Sequence, residues 1–179
     1  MADPTCPRCK KPFAQRAHRS GVLEELASLM FVYPFRCQLC SHRFRRFQPG
    51  VLYYQVRVDR RQYQRMAVQL SAAISSDKGA YEGVADEVSL GGCGIEADKN
   101  FPEGLENSLW SVRLQAPQDP RPITVEAAVV RRVTDKRIGL EFLRLAPEEK
   151  ERLGRLIFEL WRKRAALRQD ARVGNLARG

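Results

Sequence analysis

From residue 51 onward, apolar and polar residues mostly alternate with a period of two. The alternation is clearest in five segments: RMAVQLSAAI, YEGVADEVSL, SLWSVRLQAP, PITVEAAVVRRVTD and RIGLEFLRL. In the fourth segment, one side of the predicted strand carries Ile123, Val125, Ala127 and Val129. Turn signals rich in Gly, Pro and Asp separate the segments. This pattern predicts a mainly β domain, an antiparallel barrel or sandwich, rather than repeated βαβ units.

A helical pattern follows the last predicted strand. Pro147 suits the first turn of a helix, and glutamates at positions 148, 149 and 151 favour the positive end of its dipole. Apolar residues then recur at 153, 156, 157, 160 and 161, which is the spacing of one buried stripe. We expect this C-terminal helix to pack on the barrel or cover its mouth, and the tail over residues 171–179 to be loose.

The N-terminal part contains two Cys-x-x-Cys turns, CPRC and CQLC, formed by Cys6, Cys9, Cys37 and Cys40. Four thiolates in two such turns complete the tetrahedral shell of Zn²⁺ and leave no position for water or substrate. The predicted zinc site is therefore structural. Disulfide bonds are the alternative, which a reducing cytoplasm disfavours. His42 is a candidate replacement ligand, although we favour an exposed histidine at this position.

The residues between the cysteine pairs predict a short helix. Apolar residues of GVLEELASLM fall at 22, 23, 26, 29 and 30, and Ser20 precedes them as a candidate N-cap. A loop signal, QPG, follows at 48–50. We therefore divide the chain into a zinc ribbon over residues 1–50 and a barrel with its C-terminal helix over residues 51–170.

Composition and charge narrow the class of protein. Of the 179 residues, 44% are hydrophobic and 29% charged, which is typical of soluble globular proteins. No apolar run has the length of a membrane helix, and the N-terminus lacks a signal-peptide pattern, so we expect a cytoplasmic protein. The net charge of +10 is uneven, because residues 1–65 carry 13 basic and 4 acidic side chains. This basic front predicts an anionic partner: a nucleic acid, a lipid head group or a phosphate ligand.

The segment SHRFRRFQPG, after the second cysteine pair, interleaves arginines with phenylalanines. Such interleaving can bind single-stranded nucleic acid by stacking and phosphate contact. The alternative is that Phe44 and Phe47 close the small core of the ribbon while the arginines are solvated. We favour the second interpretation.

Two further stretches, DRRQYQRMAVQL and DEVSLGGCGIEA, carry candidate binding chemistry. Arginine forks onto phosphate oxygens and stacks on purines, while a carboxylate can accept two N–H bonds from a guanine edge. Adjacent glycines let the backbone turn sharply and let a ligand approach closely. Glu87 and Ser89 share strand parity and should point to one face. The candidate ligand-binding residues are Arg60, Arg61, Arg65, Glu87, Ser89, Gly91 and Gly92.

In this order, the two stretches resemble the motifs of the PilZ domain, the bacterial receptor module for cyclic di-GMP. The family's Arg-x-x-x-Arg falls on Arg61 and Arg65, and its Asp/Asn-x-Ser-x-x-Gly falls on Glu87, Ser89 and Gly92. IGLEF at 138–142 matches a later hydrophobic-Gly-hydrophobic-Glu-Phe signature. The resemblance covers roughly residues 57–165. It implies a six-stranded antiparallel β-barrel and an arginine loop that is mobile until it wraps the ligand.

One motif position departs from the family. Glu87 stands where the family has Asp or Asn, so its carboxylate lies one methylene further from the backbone. The adjacent Asp86 is an alternative acidic partner if a bulge shifts the strand register.

The resemblance implies a cyclic di-GMP receptor in which ligand binding orders the loop over residues 55–65 and re-orients the zinc ribbon. The output is then a changed contact with an unidentified downstream protein. Two alternatives stay open: a PilZ-like adaptor that has lost nucleotide binding, and a nucleic-acid-binding zinc-ribbon protein. We do not expect an enzyme, because both histidines lie in the ribbon region and no nucleophile–base pair or open metal site is apparent. Cys93, between two glycines, suits packing in a tight turn.

Overall fold

The computed structural model describes residues 4–51, 63–117 and 119–176. The chain divides into two compact units, Met1–Gln64 and Arg65–Gly179, which we call the ribbon and the barrel.

The ribbon extends past residue 50, where the loop signal placed the predicted domain limit. The hydroxyl of Tyr33 donates to the carbonyl oxygen of Val51 at 2.8 Å. Tyr63 and Gln64 also form hydrogen bonds to ribbon residues. These bonds explain why residues 63 and 64 belong to the ribbon although the chain between them and Val51 lies outside the described residues.

The ribbon contains a small antiparallel sheet in the order β1-β2-β3 and one short helix. Its elements are β1 (Ala14–Arg16), α1 (Val22–Leu29), β2 (Val32–Cys37) and β3 (Arg43–Phe47). The short helix was therefore predicted correctly in place. Its core is small and partly aromatic, consisting of Phe13, Ala14, Ala17, Tyr33 and Phe35 together with two of the cysteines, Cys6 and Cys37.

The first turn of α1 differs from the prediction. Its N-cap is Gly21, with φ of 88° and no side-chain cap, so the assignment of Ser20 as N-cap was wrong. Ser20 instead donates its backbone N–H and its hydroxyl to Oε2 of Glu24, at 2.7 and 3.3 Å. Glu24 also pairs with Arg43 at 2.5 Å and with Arg45 at 3.5 Å. The serine therefore donates to the carboxylate of Glu24 instead of accepting a backbone N–H of the first helical turn.

The apolar residues of α1 face solvent within this chain. The exposed fractions of the five side chains range from 55% to 79%, for Val22, Leu23, Leu26, Leu29 and Met30. The helix residue that is buried is Glu24, at 4% exposed. The helix is therefore attached to the sheet through an ion-paired carboxylate and not through an apolar stripe.

The barrel is a closed six-stranded antiparallel sheet in the order β4-β5-β6-β9-β8-β7, which confirms the predicted fold class. Its strands are β4 (Met66–Ser76), β5 (Gly79–Ser89), β6 (Gly92–Ala97), β7 (Leu109–Gln115), β8 (Ile123–Val133) and β9 (Arg137–Arg144). The alternation seen in the sequence accounts for the interior, because every second residue of β4 from Met66 to Ile74 is buried. Trp110, Val112 and Leu114 of β7 are buried in the same way.

The alternation fails in β8, where a register shift lies between Ala127 and Ala128. Ile123, Val125 and Val129 are buried as predicted, but beyond the shift Ala128 and Val130 are buried as well. The prediction that Ala127 belongs to the inward row was wrong, because a bulge inserts one residue there and interrupts the alternation.

The C-terminal helix α2 runs from Pro147 to Leu176 and so passes residue 170, where we expected it to end. Leu153 and Ile157 are fully buried, while the other residues of the predicted stripe are partly exposed. Arg152 is also buried and donates to Asp119 at 2.6 Å and to Glu149 at 2.9 Å. The buried arginine and the two apolar residues hold the first turns of α2 on the barrel.

Candidate functional site

The four cysteines of the two Cys-x-x-Cys turns come together in the ribbon. Their sulfurs all lie within 4.8 Å of one another: Cys6, Cys9, Cys37 and Cys40. Across the cluster, Sγ of Cys6 lies 3.7 Å from that of Cys40, and Sγ of Cys9 lies 3.6 Å from that of Cys37. Neither distance is that of a disulfide, and all four cysteines are free.

The sulfur spacing fits a tetrahedral metal site. Zinc–sulfur bonds of about 2.3 Å in a tetrahedron separate the sulfurs by about 3.8 Å. Backbone geometry supports the thiolates as well, since the N–H of Leu39 donates to Sγ of Cys37 at 3.4 Å. Burial raises the pKa of Cys37 and of Cys40. Burial also acts to raise the pKa of Cys6, but hydrogen bonds from the backbone N–H groups of Cys9 and Arg8 outweigh it and lower that pKa.

His42 does not join the sulfur cluster. Its ring stacks on Phe44, with ring centroids 6.1 Å apart, and Phe44 stacks in turn on Phe35. Among the described residues, the group able to hold a metal is formed by the four cysteines alone. The alternative in which His42 replaces a cysteine ligand therefore has no support in the geometry.

Part of the basic–aromatic segment of the ribbon is committed to internal contacts. Arg43 and Arg45 both pair with Glu24, and Phe44 packs on Phe35. Phe47 is 61% exposed, so it does not close the ribbon core as we expected. Arginines that neutralise a buried carboxylate are less available to a nucleic acid, which favours the structural interpretation of this segment.

The two candidate binding stretches meet in the barrel. Nη1 of Arg65, just before β4, donates a hydrogen bond to Oε1 of Glu87 on β5. Arg65 is the last arginine of the first stretch, and Glu87 is the acidic residue of the second. Arg60 and Arg61, the other two arginines of the first stretch, lie outside the described residues.

Arg137, at the start of β9, completes an ion-pair network with the two acids of β5. It donates from Nε to Oδ2 of Asp86 at 2.9 Å and from Nη2 to Oδ1 at 3.1 Å. The same Nη2 lies 3.0 Å from Oε1 of Glu87. These contacts, first of all the hydrogen bonds to Asp86, raise the pKa of Arg137. The negative charges of two carboxylates and the positive charges of two guanidinium groups therefore neutralise each other at this position on the barrel.

A bulge explains why two consecutive acids serve one network. In the pairing of β5 with β6, Ala85 faces Ile95 and Glu87 faces Gly94, so Asp86 is the inserted residue. Gly94 leaves the space that the network occupies. A Cβ on Gly94 would lie 2.8 Å from both Nη2 of Arg137 and Oδ1 of Asp86. Sequence reasoning missed Arg137 and Gly94, and the only signal was the third glycine of GGCG.

Ser89 and the two glycines after it form the turn between β5 and β6. The hydroxyl of Ser89, which is 4% exposed, donates to the carbonyl oxygen of Gly92 at 3.2 Å and accepts from the N–H of Gly91 at 3.3 Å. A Cβ on Gly92 would lie 2.2 Å from the carbonyl oxygen of Leu140 on β9. These contacts give Ser89 and Gly92 clear structural roles in the barrel.

Cys93 is buried at 2% exposed, and its burial raises the pKa of its thiol. A buried thiol with a raised pKa is a poor nucleophile, which favours a packing role for this residue in the barrel.

Within the part of the chain that the structure describes, no helix is long and apolar enough to span a membrane.

Comparison with known proteins identifies the family. Residues 59–159 match the family PilZ domain, and since this is more than half of the chain, the protein belongs to the PilZ family. A search of curated proteins gives no match. Among solved structures, 13 chains match.

Two of the structural matches come from Escherichia coli. The PilZ domain of YcgR with c-di-GMP is 21% identical, with a TM-score of 0.51, and the match covers 62% of this chain and 98% of that chain. YcgR in complex with c-di-GMP is 17% identical, also with a TM-score of 0.51, and covers 88% of this chain and 82% of that chain. At this level of identity, the similarity shows that the fold is shared.

Proposed function

We propose that this protein is a cyclic di-GMP receptor that acts through protein–protein contacts. The observation that carries the proposal is the direct contact between Arg65 and Glu87, which joins the two motif stretches in the barrel. Membership of the PilZ family supports it, as do the two similar YcgR structures, which contain c-di-GMP.

In this proposal, the arginines bind the phosphates and stack on the guanines of the dianionic ligand, using Arg60, Arg61 and Arg65. Glu87 accepts N–H bonds from a guanine edge, and the turn of Ser89, Gly91 and Gly92 borders the base. Because Arg65 is paired with Glu87, cyclic di-GMP must compete with this ion pair. A charge-assisted hydrogen bond contributes about 1.5–3 kcal/mol and micromolar affinity corresponds to about 8 kcal/mol, so several such bonds from the arginines and Glu87 together are needed once ordering costs are included.

Glu87, rather than Asp86, is the better acceptor for guanine. Arg137 occupies both carboxylate oxygens of Asp86. Among the described residues, the partners of Glu87 are both on Oε1, which leaves Oε2 for a guanine N–H. The longer side chain of Glu87 also extends further from the bulged strand than an aspartate would.

We propose that the four cysteines of the ribbon bind one structural Zn²⁺ ion. The sulfur separations support this assignment, and four thiolate ligands leave no open coordination position for catalysis. Metal analysis of the purified protein should give about one zinc per chain, and loss of zinc should unfold the ribbon. A protein that stays folded with well below one zinc per chain would contradict the assignment.

Signalling would follow from a conformational change on ligand binding. We propose that binding changes the conformation of residues 55–65 and thereby the orientation of the ribbon, which a downstream protein detects. The function is that of a receptor and adaptor rather than of an enzyme.

A ligand-free adaptor is the second candidate, and one observation favours it. Glu87 replaces the family's Asp or Asn and is already bound by two arginines, so the site is closed by its own ion pairs. A nucleic-acid-binding function is less favoured, because Arg43 and Arg45 are paired with Glu24.

The experiment that tests the proposed site is calorimetry with cyclic di-GMP on the wild type, Arg61→Ala and Arg65→Ala. Arg113→Ala, at an exposed arginine on β7, is the matched control for lost charge. We expect each motif variant to bind at least tenfold more weakly, since each loses a charge-assisted bond, and the control to match the wild type. If Arg61→Ala and Arg65→Ala bind cyclic di-GMP as tightly as the wild type, the site assignment is contradicted.

A further inference from the structure

The ribbon forms hydrogen bonds to residues that lie inside the arginine motif. Only three residues separate Arg61 from Arg65, and two of them, Tyr63 and Gln64, are bonded to the ribbon. The hydroxyl of Tyr63 donates to Oγ of Ser41 at 2.9 Å. The backbone N–H of Gln64 donates to Oε1 of a ribbon glutamine, Gln38, at 2.6 Å.

Gln38, which accepts from the N–H of Gln64, is itself held by the ribbon. It is only 3% exposed, and its Nε2 donates to the carbonyl oxygen of Arg36 at 3.3 Å. Its backbone N–H donates to the carbonyl oxygen of Phe13 at 2.9 Å. The backbone of Gln38 is thus held by Phe13, and its side-chain amide is oriented by the bond from Nε2 to Arg36, with Oε1 accepting from the N–H of Gln64. Gln64 is also held through its side chain, because Nε2 of Gln15 donates to Oε1 of Gln64 at 2.7 Å.

The positions of the two acceptors tie this contact to the cysteine cluster. Gln38 lies inside the second Cys-x-x-Cys turn, directly after Cys37, and Ser41 directly follows Cys40. The turn is closed by a hydrogen bond from the N–H of Cys37 to the carbonyl oxygen of His42 at 2.9 Å. Any movement of the second cysteine turn therefore moves the acceptors that hold residues 63 and 64.

We propose that Gln38 and Ser41 are positioning residues for nucleotide binding, and that the second cysteine turn, with its proposed zinc ion, sets the affinity for cyclic di-GMP by holding residues 63 and 64 next to Arg65. Arg65 is one peptide bond from Gln64, so its Cα lies within about 3.8 Å of an anchored Cα. Anchoring removes conformational freedom before the ligand binds, and less ordering cost then opposes binding. The inference rests on the proposed function, and it adds a role for the ribbon in affinity that is separate from signalling output.

The test measures cyclic di-GMP affinity and amide exchange together on the full chain. Gln38→Met keeps the length of the side chain but removes the acceptor for Gln64 and the donor to Arg36, whereas Tyr63→Phe removes only a hydroxyl. Tyr81→Phe, at a barrel tyrosine that packs against Phe101 and Trp110, is the control. We expect each of the first two variants to bind about fivefold more weakly, which is the usual factor for one hydrogen bond, and the control to be unchanged. Hydrogen exchange at the amide of residue 64 should accelerate in Gln38→Met.

Metal content measured on each variant separates positioning from unfolding, because a variant that retains about one zinc per chain retains the ribbon. Ser41→Ala serves as a second variant if Gln38→Met does not retain metal. If the wild type binds cyclic di-GMP and the metal-replete variants bind it equally or more tightly, this inference is overturned while the proposed function stands. If the wild type itself does not bind cyclic di-GMP, the proposed function and this inference both fail.

Discussion

Two glycines of β6 should respond very differently to a single methyl group. Gly92 faces backbone, and a Cβ there would lie 2.2 Å from the carbonyl oxygen of Leu140. Gly94 faces the ends of side chains, and a Cβ there would lie 2.8 Å from Nη2 of Arg137 and from Oδ1 of Asp86. A backbone oxygen in a paired strand cannot move away without separating β6 from β9, whereas the ends of side chains can turn aside.

The expected costs follow from this difference. Gly92→Ala should destabilise the barrel by about 2–3 kcal/mol, the upper part of the roughly 1–3 kcal/mol that overpacking a well-packed site costs. For a unit of this size, the melting temperature should fall by on the order of 10 °C. Gly94→Ala should cost less than about 1 kcal/mol in stability. It should nevertheless weaken cyclic di-GMP binding several-fold, because the displaced network includes the proposed ligand residue Glu87, whose Cγ would lie 3.0 Å from the new methyl group.

The assay is thermal unfolding followed by tryptophan fluorescence, since Trp110 is buried in the barrel, combined with calorimetric titration of cyclic di-GMP. A stable Gly94→Ala with weakened binding, beside a destabilised Gly92→Ala, is the result we expect. Equal destabilisation by the two substitutions would refute the assignment of Gly94 to the ion-pair network.

Two further predictions concern buried ion pairs. Glu24→Gln should lower the stability of the ribbon by about 1–2 kcal/mol, because Arg43 loses its charged partner, with amide exchange in β2 and β3 as the measurement. The pKa of Glu24 is lowered, first of all by the hydrogen bond from the backbone N–H of Ser20. The stability that the Glu24 carboxylate contributes should therefore be complete above the ordinary carboxyl pKa and lost as the pH falls through the lowered pKa. A stability advantage of the wild type over Glu24→Gln that persists at strongly acid pH would contradict this. Arg152→Met should lower the melting temperature of the barrel, because the buried Arg152 no longer bonds the carboxylates of Asp119 and Glu149, and an unchanged melting temperature would show that these pairs are not structural.

The strands and the cysteine cluster were predictable because their signals are local. Alternation along β4 and β7 depends on the side-chain period of a strand, and the Cys-x-x-Cys spacing depends on the geometry of one turn. The parity of β8 was not predictable past Ala127, because a bulge inserts a residue without a sequence mark. The same reason applies to Asp86 in β5.

The ion-pair network was not predictable because its members are distant in sequence. Arg137 and Asp86 are separated by 51 positions, and only the pairing of β6 with both β5 and β9 brings them together. The prediction of the N-cap of α1 was wrong for a different reason. Ser20 had the right residue type, but its hydroxyl donates to the buried carboxylate of Glu24, which also pairs with Arg43, instead of accepting a backbone N–H of the first helical turn.

The most direct test of the central claim is a pair of calorimetric titrations of the wild-type protein, one with cyclic di-GMP and one with cyclic di-AMP. The two ligands share the phosphate ring, but adenine lacks the N–H pair that Glu87 is proposed to accept. The account predicts binding of cyclic di-GMP with an affinity of about micromolar and at least tenfold weaker binding of cyclic di-AMP. Absence of heat with cyclic di-GMP at tens of micromolar, or equal binding of the two dinucleotides, would contradict it.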